Sequence, residues 1–230
     1  MSGLTADDLG AIALSLRVAG VAMAASLPLA IGTALLLARG RFTGKALLEA
    51  AIFLPLVLPP VATGYGLLLL FGRQGLVGRW LASAHIVFAF DWTGAALAAA
   101  VMAFPLMVRA IRLAVEAVDP KLEEAASTLG APRLWVFATV TLPLVLPGII
   151  AGAILAFAKA MGEFGATITF VSNIPGQTQT LPSAIYAWLQ VPGGDDQAFR
   201  LVLVAIVIAM AALLLSEWVS RAVARRISGQ

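Results

Sequence analysis

Residues 120–134 read Pro-Lys-Leu-Glu-Glu-Ala-Ala-Ser-Thr-Leu-Gly-Ala-Pro-Arg-Leu, a short polar stretch set between two long apolar runs. Asp119 is a good N-cap, Pro120 suits a first helical position, and Gly130 can take the left-handed conformation that closes a helix. The spacing therefore predicts a helix over 120–130. Leu122, Ala125, Ala126 and Leu129 fall at i, i+3, i+4 and i+7, an apolar stripe whose middle is two small alanines that let another surface approach closely. A helix this short cannot cross a hydrocarbon core of about 30 Å. It either lies on the membrane surface as a connector or does some other work.

The rest of the chain belongs in a bilayer. At 61% hydrophobic and 12% charged residues over 230 positions, with a mean hydropathy of +0.98, it falls outside the range of soluble domains. Five runs are long enough to span, which takes about 20 apolar residues: 11–38, 46–71, 92–115, 134–161 and 199–219. None alternates with period two as barrel strands do, so the expectation is a single all-α membrane domain over 1–230 with about five transmembrane helices.

Basic residues give the orientation. With the 116–134 segment inside, ten fall in inner loops and the C-terminus (Arg39, Arg41, Lys45, Arg109, Arg112, Lys121, Arg133, Arg221, Arg225, Arg226), three outside (Arg73, Arg79, Arg200) and two within spans (Arg17, Lys159). This partition follows the positive-inside rule and puts the N-terminus outside and the C-terminus in the cytoplasm. Topology thus accounts for the net charge of +3 and the pI near 9.8, and no nucleic-acid partner is expected. The chain has no cysteine, so disulfides and thiolate metal sites are excluded, and the lone His85 has no second ligand near it in sequence, so no metal site is expected. Val21-Ala22-Met23-Ala24-Ala25-Ser26 imitates a signal-peptidase site, but no basic region precedes it and the apolar run continues to Ala38. An uncleaved first span is expected.

Irregular features cluster in and after the spans. Leu54-Pro55-Leu56-Val57-Leu58-Pro59 recurs as Leu142-Pro143-Leu144-Val145-Leu146-Pro147. Pro55, Pro59, Pro143 and Pro147 are expected to kink or unwind the second and fourth spans at matching depth, and Pro105 the third. Such bends suit a pathway that opens and closes, though packing irregularity alone also produces them. Gly162-Glu163-Phe164-Gly165 ends the fourth span, and Thr167, Thr169, Ser172 and Asn173 open a polar run that continues to Thr180. Neutral hydroxyls, amides and backbone N–H groups are what an oxyanion path can use, since they donate hydrogen bonds without trapping a dianion; an ordinary outer loop is polar as well. Lys159 and Glu163, four apart, can pair. Arg17, early in the first span, can snorkel outward, and Glu49 is expected at the interface, as is the loop 72–91 with Leu76, Val77, Trp80 and Leu81.

From Glu124 the chain reads Glu-Ala-Ala, three residues, Gly130, nine residues, then Val140-Thr141-Leu142-Pro143. This resembles the signature loop of ABC importer membrane subunits, Glu-Ala-Ala, three residues, Gly, nine residues, Ile, any residue, Leu-Pro, with Val140 in place of isoleucine. The segments 54–60, 104–112 and 162–176 narrow the resemblance to the membrane subunit of bacterial molybdate importers, with sulfate and tungstate permeases as near relatives. The resemblance implies a type I importer permease fold of the bacterial cytoplasmic membrane. It makes 120–130 the coupling helix, with Leu122, Glu123, Glu124, Ala125, Ala126, Leu129 and Gly130 meeting the ATPase; the neutral donors directly after the glycine hinge make Gly162, Glu163, Gly165, Thr167, Thr169, Ser172 and Asn173 the expected path and gate. It also implies a second copy of the chain, two ATP-binding subunits and an extracytoplasmic molybdate-binding protein as partners. Some members carry a sixth N-terminal helix, for which no run precedes Ala11. The expectation is transport by alternating access, against rival readings as a passive anion channel or a membrane-anchored scaffold, neither of which needs a coupling helix. The chain is expected to be no enzyme and to hold no cofactor, with ATP and magnesium in the partner subunit. Gly44-Lys45 has Arg39 at the first glycine position of a phosphate loop and Ala46 at its Ser/Thr position, leaving neither cradle nor magnesium ligand.

Overall fold

A computed structural model describes residues 3–228, with side chains up to 219 except at 216; Arg221, Arg225 and Arg226 of the inner basic set lie outside the described side chains. The elements are α1 (Ala6–Arg39), α2 (Lys45–Val57), α3 (Pro60–Phe71), α4 (Gly78–Ser83), α5 (Trp92–Glu116), α6 (Pro120–Thr128), α7 (Arg133–Val136), a π-helical stretch Phe137–Thr141, α8 (Leu142–Met161), α9 (Gly165–Val171), α10 (Leu181–Leu189) and α11 (Asp195–Ser228). Four helical segments, α1, α5, Arg133–Met161 and Asp195–Val219, are long and apolar enough to cross a membrane, and a fifth span results if α2 and α3 count as one.

The centre is α5, packed against α1 on one side and α8 on another, with α11 against α8 and α10. Many of the buried positions on α1 and α5 are small, which lets the helices approach closely, with Leu37, Met102, Met107 and Ile111 among the larger side chains buried beside them. On α1, Ala11, Ser15, Ala19, Ala22, Ser26, Ala30 and Ala34 are buried, and on α5 Ala95, Ala98, Ala99 and Ala103 are. In lipid no hydrophobic drive joins helices, so short approach distances must supply the packing energy. A Cβ on Gly148 of α8 would come within 2.2 Å of the Ala114 Cβ on α5, which is why glycine stands there.

The helix ends follow local chemistry. Thr5 and Asp8 form a reciprocal capping box at the start of α1, with N···O distances of 3.1 and 2.9 Å. Asp91 caps α5 by accepting from the Thr93 N–H at 2.8 Å. Asp8 is also an anchor: buried in the fold, its Oδ1 accepts from Trp188 Nε1 at 2.8 Å, and Ser15 Oγ accepts from the Leu181 N–H at 2.6 Å, so two hydrogen bonds fasten α10 to the first half of α1.

The second expected span departs from a single helix over 46–71. It is broken at Leu58 and Pro59 into α2 and α3, inclined at 116°. Each proline drives the residue before it out of the α region, and here Pro59 and Pro60 follow one another; Leu58 (ψ 146°) and Pro59 (ψ 133°) are both extended. The repeat in the fourth span behaves otherwise, because Gly148 rather than a second proline follows Pro147. There Pro143 falls in the first turn of α8 and Pro147 inside it, without a break. The irregularity lies earlier, in the π-helical Phe137–Thr141 just before Pro143, where a wider turn accommodates the ring and the missing donor. Pro55 and Pro105 likewise sit inside α2 and α5 with no interruption, so of the five expected kink prolines only Pro59 coincides with a break.

Candidate coupling and translocation sites

The predicted 120–130 helix forms as α6, two residues shorter at its C-terminal end. Asp119 Oδ1 accepts from the Lys121 N–H at 2.9 Å, and Gly130 takes φ +84°, the left-handed turn that redirects the chain into α7. No residue of α6 is buried; Leu122 is 49% exposed, and beyond the helix Leu129 is 89% exposed. Glu124 and Ala125 are exposed and Ala126 partly so, which leaves most of the apolar stripe, Leu122, Ala125 and Leu129, uncovered among the described residues.

Glu123 faces the other way. Its Oε1 receives Arg39 Nη2 at 2.5 Å and the Thr141 hydroxyl, joining α6 to the end of α1 and to the π-helical stretch that leads into α8. Burial pushes the Glu123 carboxyl up, but the Thr141 hydroxyl and the Arg39 guanidinium outweigh it and hold the group below its ordinary range. Beside it a cavity of about 630 Å³ is lined by Arg39, Arg41, Lys45, Glu116, Pro120 and Glu123, so three basic side chains gather next to α6. On α5, Arg112 reaches Glu49 of α2 at 2.6 Å and Glu116 at 2.7 Å, placing Glu49 at this same end.

The segment after α8 is more constrained than a polar loop. Gly162 ends α8, and the Glu163 side chain, 2% exposed, receives Lys159 Nζ at 2.6 Å and the Ala166 N–H at 3.0 Å, so it satisfies one free N–H in the first turn of α9. Gly165 keeps an ordinary negative φ, and its role is proximity: a Cβ there would be 2.8 Å from the Pro60 Cβ. Gly64 on α3 meets the Ala166 carbonyl in the same manner, so α3 and α9 are in contact along two glycines.

The expected donors divide. Thr167 is buried, and the Thr169 hydroxyl donates back to the Gly165 carbonyl at 2.8 Å. Thr178 accepts from the Ile174 N–H at 3.0 Å and pins the loop. Ser172 is exposed with φ +67°, and Asn173 is half-buried with its Oδ1 buried and without a hydrogen-bond partner; rotation of the Asn173 amide would put its NH₂ at the same place. Arg17 is an exposed side chain that rests against an aromatic ring. Its guanidinium carbon lies 3.7 Å from the centroid of the Trp92 ring. Spacing gave no hint of that pair, of Asp8 with Trp188, or of the Gly64 and Gly165 contacts, because each joins residues far apart in the chain.

Residues 26–229 match the family described as binding-protein-dependent transport system inner membrane component. The molybdenum transport system permease protein ModB of Escherichia coli (strain K12) is 59% identical over 219 residues, covering 95% of this chain and 96% of that protein. The sulfate transport system permease protein CysT of the same organism is 40% identical over 155 residues, 67% of this chain and 56% of that protein. Among solved structures, a bacterial alginate ABC transporter in complex with an alginate pentasaccharide-bound periplasmic protein aligns with a TM-score of 0.76 at 18% identity, over 95% of this chain and 80% of that one, which establishes the shared fold.

Proposed function

The chain belongs to the family of binding-protein-dependent transport system inner membrane components, and from that premise we propose that it is the membrane subunit through which an ATP-driven importer carries molybdate inward. Hydrolysis lies in the partner. Two copies of this chain pair in the cytoplasmic membrane, each docking α6 into one ATP-binding subunit, while an extracytoplasmic binding protein delivers the anion at the opposite end. The N-terminus is outside and the C-terminus in the cytoplasm. Closure of the two ATPases draws the paired α6 helices together, Glu123 passes that displacement to α1 and α8, and the break between α2 and α3 lets the path open alternately to either side. The path itself runs by Gly162, Gly165, Thr167, Thr169, Ser172 and Asn173, with Glu163 holding α9 in position.

The observation that carries this reading is the apolar stripe of α6, largely exposed among the described residues yet fixed on its other face by the Glu123 link. A channel or scaffold has no use for such a helix. The molybdate-transporting relative is more similar, over more of the chain, than the sulfate-transporting one, which favours molybdate over sulfate; tungstate, a tetrahedral dianion of the same charge, is expected to pass as well. The test is reconstitution with the cognate ATPase and binding protein and measurement of ATP-dependent uptake of labelled molybdate, tungstate and sulfate. Uptake of sulfate but not molybdate overturns the substrate, and uptake without ATP favours a channel.

A further inference from the structure

Arg17 is an exposed basic side chain within the first span. Lys159 is paired with Glu163, and Arg112 with Glu49 and Glu116, whereas among the described residues no ion pair forms at Arg17. Its partner is the Trp92 ring, 3.7 Å away, which covers one face of the guanidinium and leaves the N–H donors around its rim available. The position is also deep. The 34 residues of α1 make a rod of about 51 Å, which overhangs a core of about 30 Å by about 10 Å at each end when centred. Arg17 follows Ala6 by eleven residues, about 17 Å along the axis, and so lies below the headgroup level. A charge at that depth is retained where it borders a water-filled cavity or meets a counter-charge.

The cavity is present. Gly10, Ala13, Leu14 and Arg17, at i, i+3, i+4 and i+7 on α1, form one wall of a space of about 250 Å³, and Gly176 and Gln179 form the other. This second wall is built before any ligand arrives. Ile174 to Gln177 close a turn with Pro175 and Gly176 (φ +75°) in its middle and the Gln177 N–H on the Ile174 carbonyl at 3.0 Å, and Thr178 ties down the loop again. The space holds several waters at about 30 Å³ each, hence a hydrated tetrahedral anion. Its wall residue Gly176 follows Ser172 by four positions and Asn173 by three.

We propose that Arg17, stacked on Trp92 and facing Gln179, is an outer binding site for a tetrahedral oxyanion, where the cargo released by the binding protein is first held before it enters the path. The proposal rests on the reading of the chain as an oxyanion permease. A guanidinium matches two oxygens of such an anion with two parallel N–H bonds, which a lysine cannot do. Because one cation faces the dianion without a second one nearby, the hold is weak enough for onward release. A phospholipid phosphate has the same chemistry, and its claim on the site is separable by experiment.

The chain has no cysteine, so Ala13→Cys supplies a single thiol on the cavity wall. The assembled transporter, in a sugar-headgroup detergent free of phosphate, is alkylated with neutral N-ethylmaleimide. Saturating molybdate should slow the reaction about tenfold while sodium chloride of equal ionic strength leaves it unchanged, and the protection should vanish with Arg17→Gln. In proteoliposomes, Arg17→Gln should lower molybdate uptake about tenfold with ATP hydrolysis still stimulated by loaded binding protein, and Arg17→Lys should fall between it and wild type. Arg17→Lys keeps the charge and serves as the reading should Arg17→Gln fail to assemble. Protection that does not depend on Arg17, protection by added phosphatidylglycerol but not by molybdate, or unaltered uptake in both variants overturns the proposal. A wild type that imports no molybdate refutes the permease reading instead, whereas an importing wild type without protection refutes this site alone.

Discussion

Replacing Gly64 by alanine should force α3 away from α9. The new Cβ would stand 2.4 Å from the Ala166 carbonyl oxygen, 2.8 Å from the Ala166 Cα and 2.9 Å from the Thr169 Cβ. Ordinary contacts are about 3.3–3.6 Å for carbon to oxygen and about 3.5–4.0 Å for carbon to carbon. Two of the three clashing atoms are backbone, which no rotamer change relieves, so the helices must part by about 1 Å. Overpacking of this size costs about 1–3 kcal/mol. Expressed as an equilibrium, that is about 5- to 150-fold against any state of the transporter in which α3 and α9 are packed as here. Gly66 is the control, on the same helix one turn's fraction further round: a Cβ there meets nothing within 4 Å. Gly66→Ala should therefore stabilise by up to about 1 kcal/mol through helix propensity alone. The two variants are compared by thermal unfolding of the purified complex and by uptake in proteoliposomes. Opposite signs are expected. Equal behaviour of Gly64→Ala and wild type in both measurements would refute the argument, as would Gly66→Ala proving equally damaging.

Glu123→Gln should reduce transport per ATP hydrolysed while changing stability by less than about 1 kcal/mol, since its ion pair with Arg39 is partly exposed to solvent. The folded-state pKa of this carboxyl is lowered, so its contribution is present above the ordinary carboxylate value and is lost as pH falls through the lowered one; coupling measured from about pH 6 to about pH 8 should be flat. Gly130→Val, at φ +84°, should strain the turn after α6 by about 1–3 kcal/mol, and Ala125→Leu should overfill the stripe, each lowering uptake with membrane insertion intact; normal coupling in both would make α6 a plain connector. Ser172→Gly should raise the unfolding midpoint by relieving about 1 kcal/mol of backbone strain at φ +67°, and an unchanged or lower midpoint would show that the serine conformation is not strained.

Local chemistry was the part written openly in the sequence. Asp119, Pro120 and Gly130 announce α6 because caps and a left-handed glycine act within one turn, and the spans are visible because a bilayer demands uninterrupted apolar length. The prolines were harder to read. The same Leu-Pro-Leu-Val-Leu-Pro hexapeptide is broken once and continuous once, and the difference is the next residue, Pro60 in one case and Gly148 in the other. In the candidate path, composition offered a row of donors, but which of them remain free depended on bonds the sequence does not order, such as Thr169 to Gly165 and Glu163 to Ala166. One overlooked signal was in plain view: Ala22, Ser26, Ala30 and Ala34, small residues at every fourth position of the first span, mark its packing face. Arg17 with Trp92 left no such trace, since nothing along the chain couples residues 17 and 92.

The face that α1 turns to α5 has a mechanical meaning. Leucine seams lock because each large side chain drops into a hole made by four others, and displacement along the axis lifts it out. Alanine, serine and glycine raise only shallow ridges, so an axial slip of one helix past the other exchanges one set of close contacts for a nearly equivalent set. Dispersion, the attraction available between helices in lipid, then changes little along the way. Where such small residues meet, the seam resists separation more than it resists sliding, while α1 is tied at its two ends to α10 through Asp8 and to α6 through Arg39 on Glu123.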